Sequence, residues 1–450
     1  MADGSQSLAP PATPAARPTH TRDVFAIAGP AMLANLTTPL LGVVSTAAIG
    51  RLGDATLLGG VAMAAVIFDC LFWLFSFLRM GTIAFTAQAL GARRPREFPL
   101  ILLRGFMIAG VVGGLLIVLQ YPLGAALWSL MGGGEGVTSA AKTYFAIRIF
   151  AAPVTLANYV VLGWLIGQAR ARLALALQIT INIVNMAATV LLVLVADWGI
   201  AGAATATVIA ETVGIVLGVV LARDICGGQL RASRAALFDR ASLTHMMVVN
   251  RDIMIRTAAL IAAFMFFVAQ GARTGDLTLA ANAVLNNFLL ISAFFLDGLA
   301  NAAEQICGRA YGARDRIGFS SATRLTIAWG FAFAGLVSII YALFGPLLID
   351  LMTASEDVRR LARDFLWLVT LAPLLGVFAF AYDGVFIGAT WARDMRNLMI
   401  LSLLIYLAAW ALLRPFGNAG LWGALLVHYA ARGGLQALRY PTLLRSSFRT

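Results

Sequence analysis

The chain has 450 residues, of which 60% are hydrophobic and 12% charged, where a soluble globular protein carries roughly a quarter charged residues. With a mean hydropathy of +0.86, this composition excludes a soluble domain and points to a polytopic α-helical membrane protein. The net charge of +12 is spread between apolar runs rather than along one basic face, which fits membrane topology and excludes a nucleic-acid partner.

In chain order, residues 1–22 are rich in Ala, Pro, Ser and Thr and read as a disordered tail without a cleaved signal peptide. Apolar runs predict twelve spans near 24–50, 57–90, 100–130, 138–169, 173–196, 198–222, 253–272, 277–308, 322–346, 361–389, 396–413 and 418–440. None shows the period-2 alternation of an outer-membrane barrel. The first span carries Pro30 and Pro39, with Asn35 and Ser45 as its candidate binding groups. A helix proline frees a carbonyl and permits a bend. The second span holds Asp69, without an obvious local partner, and Arg79; the fourth holds Arg148. These arginines, with Arg256 of the seventh span, read as counter-ions or as groups that snorkel to the interface.

The fifth span presents a stripe of Gln178, Asn182, Asn185 and Thr189, and on the sixth Thr207 and Glu211 share a face. A basic stretch at 223–250 containing Gly227 and Gly228 reads as a cytoplasmic linker. It ends in "NRDIMIR" (250–256), where Asp252 stands at the expected start of the seventh helix. On the eighth span Asn282, Asn286, Asp297, Asn301 and Glu304 fall in one sector. The tenth carries Pro373, Tyr382 and Asp383, and residues 441–450 form a C-terminal tail. A polar stripe inside the membrane has two readings, interhelical packing or the wall of a water-filled cavity. For a stripe that ends in two acids the cavity is the expectation.

Connections after even spans hold 15 Arg and Lys, and those after odd spans hold 7, so both termini are expected in the cytoplasm. The halves also repeat. "QALGAR" (88–93) returns as "RAYGAR" (309–314), and "LGWLIGQARAR" (162–172) as "DGVFIGATWAR" (383–393), both shifted by 221; "GIAG" (199–202) returns as "GNAG" (417–420), shifted by 218. Six spans per half give both halves one orientation. The expected architecture is an all-α membrane protein of two pseudo-symmetric six-helix lobes, 23–222 and 251–440. Three distant cysteines, three scattered histidines and the lack of a phosphate loop or nucleophile elbow offer no metal site, no cofactor and no enzyme.

"PLLGVVSTAAIGRLG" (39–53), "LGGVAM" (58–63), "FLRMGTIAFTAQALGA" (77–92), "GAATATVIAE" (202–211), "NRDIMIR", "LDGLANAAE" (296–304), "AYGARD" (310–315) and "DGVFIGATWARDMRN" (383–397) together resemble the DinF-like branch of the multidrug and toxic compound extrusion (MATE) family. The resemblance implies two lobes around a central cavity and antiport, with substrate leaving as protons or sodium ions enter. It implies that Pro30 is the proline at which the first helix bends. Two positions depart from the pattern. Family members read "VDTA" where this chain reads "VSTA", so Ser45 stands in place of the branch's proton-binding aspartate. Asn182 and Asn185 fit the family's "NxxN", but Thr189 replaces a second acid. A hydroxyl cannot cycle a proton near neutral pH as a carboxylate can.

The function expected from residues and resemblance together is export of amphipathic, often cationic small molecules across a bacterial inner membrane, by a monomer, with H+ or Na+ as the coupling ion. A flippase of lipid-linked substrates and an uncoupled receptor or scaffold derived from a transporter are the alternatives. The remaining coupling candidates are Asp69 and Glu211 in the first lobe, with Glu211 favoured, and Asp297, Glu304 and Asp383 in the second.

Overall fold

The computed structural model describes residues 18–131, 134–228, 230 and 233–448. Most of the expected N-terminal tail lies outside them, and helix α1 already begins at Thr21, running to Gly50 without a break at Pro30 or Pro39. The tight turn at Gly53, which has φ +73°, leads to Asp54. Its carboxylate accepts from the Thr56 N–H at 2.8 Å and so caps α2, Ala55–Gly91. These hydrogen bonds hold the Asp54 carboxyl below its ordinary range. Around Phe75 and Ser76 the backbone of α2 tightens to bonds of three-residue spacing, Phe75 N–H to Phe72 and Ser76 N–H to Trp73. That divides the helix into two segments without a proline.

Helix α3 is Glu97–Val118, continued by Gln120–Met131. Helix α4 is Glu135–Gly167, α5 is Ala171–Val195 with a last turn of π type, and α6 is Gly199–Ile225. After a short helix at Arg234–Leu237, α7 spans Arg240–Arg273 and α8 Asp276–Gly312. Helices α9 (Arg316–Met352), α10 (Glu356–Gly388), α11 (Ala392–Leu413) and α12 (Gly417–Ser447) complete the second lobe. Between α11 and α12 the chain reverses at Gly417, with φ +59°. Gly420 then lies directly on the Leu413 carbonyl, where no side chain fits. Side chains such as Val43, Leu343 and Leu412 stand exposed along these helices, an apolar outer face that suits lipid.

Two expected boundaries move. Residues 240–250 of the anticipated linker are the first turns of α7, capped by Asp239, which accepts from the Ser242 N–H at 2.8 Å. Asp252 therefore lies well inside a helix rather than at its start, and it binds Arg396 at 2.7 Å and Arg251 at 2.9 Å. Likewise α12 takes up most of the expected C-terminal tail, through Pro441 to Ser447.

The duplication is visible in the packing. α1 packs on α5 as α7 does on α11; α2 on α4 as α8 on α10; α4 on α6 as α10 on α12. Close backbone approaches repeat residue for residue. Gly163 rests on the Arg79 carbonyl and Gly384 on that of Ala300; Gly167 rests on the Ile83 carbonyl and Gly388 on that of Glu304. Each member of these pairs is offset by 221 from its counterpart, as are Arg93 and Arg314, and Ala169 and Thr390, which all take positive φ. Small residues let membrane helices approach closely enough for dispersion to hold them. The lobes meet through the same device, with Gly91 on the Arg309 backbone and Gly312 on that of Gln88.

Candidate functional site

Helices α1, α2, α4, α5 and α6 enclose a cavity of 890 Å³, to which α8 contributes Asn301. Its walls are largely apolar and aromatic, with Leu41, Val61, Phe72, Trp73, Leu162 and Ile181 among them. Of the residues singled out in the sequence, Pro30, Asn35, Ser45, Asp69, Asn182, Asn185, Thr207, Glu211 and Asn301 all line it, as do Arg79 and Arg148. Thr189 stands behind this wall, buried, with its hydroxyl donating to the Asn185 side-chain oxygen at 3.1 Å.

The α5 stripe combines both readings of a polar face. The Gln178 amide donates to Asn182 at 3.2 Å, the Asn182 amide to the Thr37 hydroxyl of α1 at 2.8 Å, and the Asn185 amide to the Thr207 hydroxyl of α6 at 3.3 Å. The ladder ties three helices together while all three of its amides line the cavity. Intramembrane hydrogen bonds of this kind contribute about 0.6 kcal/mol each on average, so the ladder orients its amides more than it holds the lobe. Asn35 is fixed separately, donating to the Phe294 carbonyl of α8 at 3.2 Å.

The cavity carboxylates differ in their surroundings. Glu211 is half-buried and accepts from the Asn158 amide at 2.6 Å, and the same amide reaches the Glu211 carbonyl at 2.9 Å. Asp69 is exposed to the cavity and makes no hydrogen bond or ion pair among the described residues. Arg148 lies with its guanidinium 4.6 Å from the ring centre of Phe68, and its charge acts on both Asp69 and Glu211.

The second-lobe acids occupy other places, and the single stripe expected on α8 divides. Asn282 exchanges hydrogen bonds with Asn418 at 2.8 and 3.0 Å and accepts from the Trp422 indole at 2.8 Å, so it clamps α8 to α12. Asp297 is exposed and within electrostatic reach of Arg79, Arg256 and Arg432. Glu304 is buried, and its Oε2 meets no partner among the described residues. Asp383 is buried between Arg256 and Arg432, each paired with its Oδ2, while the Gln436 amide donates to Oδ1 at 2.8 Å. None of these three acids lines the cavity.

Apart from the Asn35–Phe294 bond midway along α1 and α8, the hydrogen bonds named between lobes lie at the end of the molecule that carries the termini. Gln88 donates to the Gly388 carbonyl at 2.8 Å, Gln305 to that of Gly167 at 3.3 Å and Thr19 to that of Gly318 at 3.3 Å. Midway, Trp73 of α2 meets Phe264 of α7 with ring centres 5.9 Å apart.

The sequence pattern of the MatE family matches residues 30–191 and 253–410, most of both lobes. The chain belongs to the MATE family. It is 38% identical over 410 residues to DNA damage-inducible protein F of Escherichia coli, covering 90% of this chain and 89% of the relative. It is 27% identical over 423 residues to a probable multidrug resistance protein NorM of Caulobacter vibrioides, covering 90% and 87%. Among solved structures, a MOP superfamily transporter from Pyrococcus furiosus superposes with a TM-score of 0.86 at 17% identity, over 95% of this chain and 97% of the other. The MATE transporter VcmN of Vibrio cholerae does so with 0.86 at 21% identity, over 95% and 98%. The protein is therefore a multi-pass membrane transporter of the MATE fold and not an enzyme.

For this MATE transporter, Ser45 is a cavity residue, so the cavity wall carries a hydroxyl at this position. The sequence did not single out Tyr144, Thr155, Asn158 or Tyr159, all cavity residues of α4. Their signal was periodic. Residues 144, 148, 155, 158, 159, 162 and 166 recur at helical spacing on one face, and of these the sequence reading took up only Arg148, although the Asn158 amide also stands out in an apolar run.

Proposed function

We propose that this transporter is a secondary antiporter that exports amphipathic, often cationic small molecules by alternating access, in exchange for H+ or Na+. The observation that carries this reading is the cavity itself: 890 Å³ of mainly apolar and aromatic wall into which the carboxylates of Asp69 and Glu211 face. Such a volume suits a drug-sized ligand. Adaptable apolar surface gives affinity with little selectivity, and a carboxylate in a low-dielectric wall attracts a cation. The charge bias of the connections supports termini on the cytoplasmic side of a bacterial inner membrane. With that orientation, the hydrogen-bonded junction of the lobes around Gln88 and Gly388 is an intracellular closure, and the arrangement is outward-facing. Relatives that carry multidrug resistance in their names agree with drug-like cargo.

A second reading has support from Arg79 and Arg148, which also line the cavity: a lipid-linked substrate with an anionic headgroup, moved as by a flippase. Arg148, however, faces two carboxylates in the same cavity, which leaves less positive potential for a phosphate. The deciding assay is export from proteoliposomes under separately imposed proton and sodium gradients, with ethidium as the cationic probe and a fluorescent phospholipid as the anionic one. Gradient-driven ethidium movement supports antiport of cations. Movement of the lipid alone, indifferent to either gradient, supports the flippase.

A further inference from the structure

We infer that Asp69 is the coupling carboxylate of this transporter, a displaced replacement for the acid that Ser45 lacks, with Arg148 as its resident counter-charge. The inference rests on the antiport reading above and reverses the preference for Glu211 drawn from the sequence.

Coupling needs a group whose ion occupancy differs between the two facing states, since only differential binding shifts an equilibrium. Such a group must reach the cavity, must be free to exchange partners, and must share the space of the substrate so that the two compete. Ser45 meets the first condition and fails chemically. Asp69 and Glu211 are the two acidic residues among those that line the cavity. Glu211 is held by Asn158, whose amide spans its carboxylate at 2.6 Å and its carbonyl at 2.9 Å. The two hydrogen bonds from one amide fix the Glu211 rotamer and leave it less free to exchange partners. Asp69 has no such tether and is open to the cavity.

The groups around Asp69 favour exchange. From α4, Arg148 and Tyr159 lie within electrostatic reach of Asp69, and Tyr144, Glu211 of α6 and Arg79 of the second segment of its own helix line the same cavity. From α1 the cavity contributes Ser45 and Thr46, which do not titrate in the physiological range, and α7 approaches α2 through Phe264, whose ring packs tilted beside Trp73. Arg148 is anchored beside Asp69 by the ring of Phe68, the preceding residue, and by the Tyr144 hydroxyl, to which it donates at 3.4 Å. It can therefore neutralise Asp69 when neither proton nor substrate does. The sequence of events follows. The ionised Asp69 receives a cationic substrate from the inward-facing state. In the outward-facing state a proton from the external solution binds the carboxylate and the cation leaves. The proton is carried back and released inward. One proton enters for each charge displaced.

Two measurements test this. In proteoliposomes, Asp69→Asn is expected to lose proton-driven ethidium export while retaining ethidium counterflow, which needs a folded, alternating protein but no gradient. Ser45→Asp added to Asp69→Asn is expected to restore the driven export. Independently of any substrate, infrared difference spectra between acidic and neutral pH are expected to lose a protonated-carboxyl band in Asp69→Asn. Driven export in Asp69→Asn, or an unchanged band in that variant, overturns the assignment. If instead the wild-type protein shows no gradient-driven export while its Asp69 band is present, the antiport reading fails and Asp69 remains a titrating cavity group without a coupling role.

Discussion

Asn158 of α4 grips Glu211 of α6 twice, through the carboxylate at 2.6 Å and through the backbone carbonyl at 2.9 Å. A charge-assisted hydrogen bond of this kind contributes about 1.5–3 kcal/mol, several times the average for neutral pairs in a membrane. Asn158 is buried and Glu211 only half so, so solvent in the cavity weakens the pair, and a coupling energy of about 1–2 kcal/mol is expected. A double-mutant cycle of Asn158→Ala and Glu211→Ala, followed by thermal unfolding in detergent, measures it. Additive effects, with no coupling, would show that the amide merely fills space.

The burial of Asp383 between two arginines makes an architectural role the expectation for this acid. Removing the carboxylate leaves Arg256 and Arg432 facing each other in the C-lobe interior, and breaking a buried pair this way costs about 3–5 kcal/mol. Removing one arginine instead leaves a neutral pair. Asp383→Asn should therefore lower the melting temperature and the yield of folded protein more than Arg432→Gln does. A fully stable Asp383→Asn that has lost gradient-driven export would instead place coupling in the second lobe.

How much of this was legible in the sequence follows from which constraints are local. A bilayer demands helices of a minimum length, so the twelve spans could be read from hydropathy alone. The repeat was readable because its glycines, such as Gly163 and Gly384, sit where two helices touch and no side chain fits. The α5 stripe was readable because its partners lie on one helix face. The fate of α8 was not, because a 37-residue helix passes through two environments. Near one end Asn282 meets Asn418 and Trp422 of α12, and nearer the other Asn301 meets the first-lobe cavity. A helical wheel merges them. The partners of Asp383 come from two other helices, and nothing in the spacing along one chain announces such a meeting.

The repeated glycine contacts predict matched penalties. A Cβ at Gly163 would stand 2.5 Å from the Arg79 carbonyl oxygen, and one at Gly384 would collide with that of Ala300. Backbone cannot swing aside, so each Gly→Ala change is expected to destabilise by about 1–3 kcal/mol, in the range of overpacked cores. Gly110 has open space around it, and Gly110→Ala should be neutral or favourable by up to about 1 kcal/mol through helix propensity. Melting temperatures of the three variants in one detergent decide it. Equal values would mean that α2–α4 and α8–α10 tolerate separation.

Orientation is testable without transport. The 15-to-7 bias of basic residues between connections predicts that a reporter fused after Arg231 is cytoplasmic and one inserted at Gly134 is external. The opposite result at either site would invert the membrane topology and make the lobe junction at Gln88 an external closure.

The polar face of α8 yields the last prediction, because its members now separate by their surroundings. Asp297 is exposed, Asn301 is buried but borders the cavity, Glu304 is buried away from it, and Asn282 is clamped by Asn418 and Trp422. Cysteines placed singly at these positions should therefore react with a membrane-impermeant thiol reagent in a definite order. Asp297→Cys should label fastest and Asn301→Cys next. Ethidium should slow Asn301→Cys more than Asp297→Cys, since only the former lies in the cavity wall. Asn282→Cys should stay unreactive in every state, because its surroundings are packing. Glu304→Cys should be protected while the lobes meet at Gly91 and Gly312. It should become reactive from the side of the termini when Gly312→Ala weakens that junction, since a Cβ there collides with the Gln88 backbone and alternating access requires the two closures to trade places. Labelling of Asn282→Cys at the rate of Asn301→Cys would mean that α8 is wetted along its whole length, and a Glu304→Cys still protected in the Gly312→Ala background would mean that this residue belongs to the packed interior in both states.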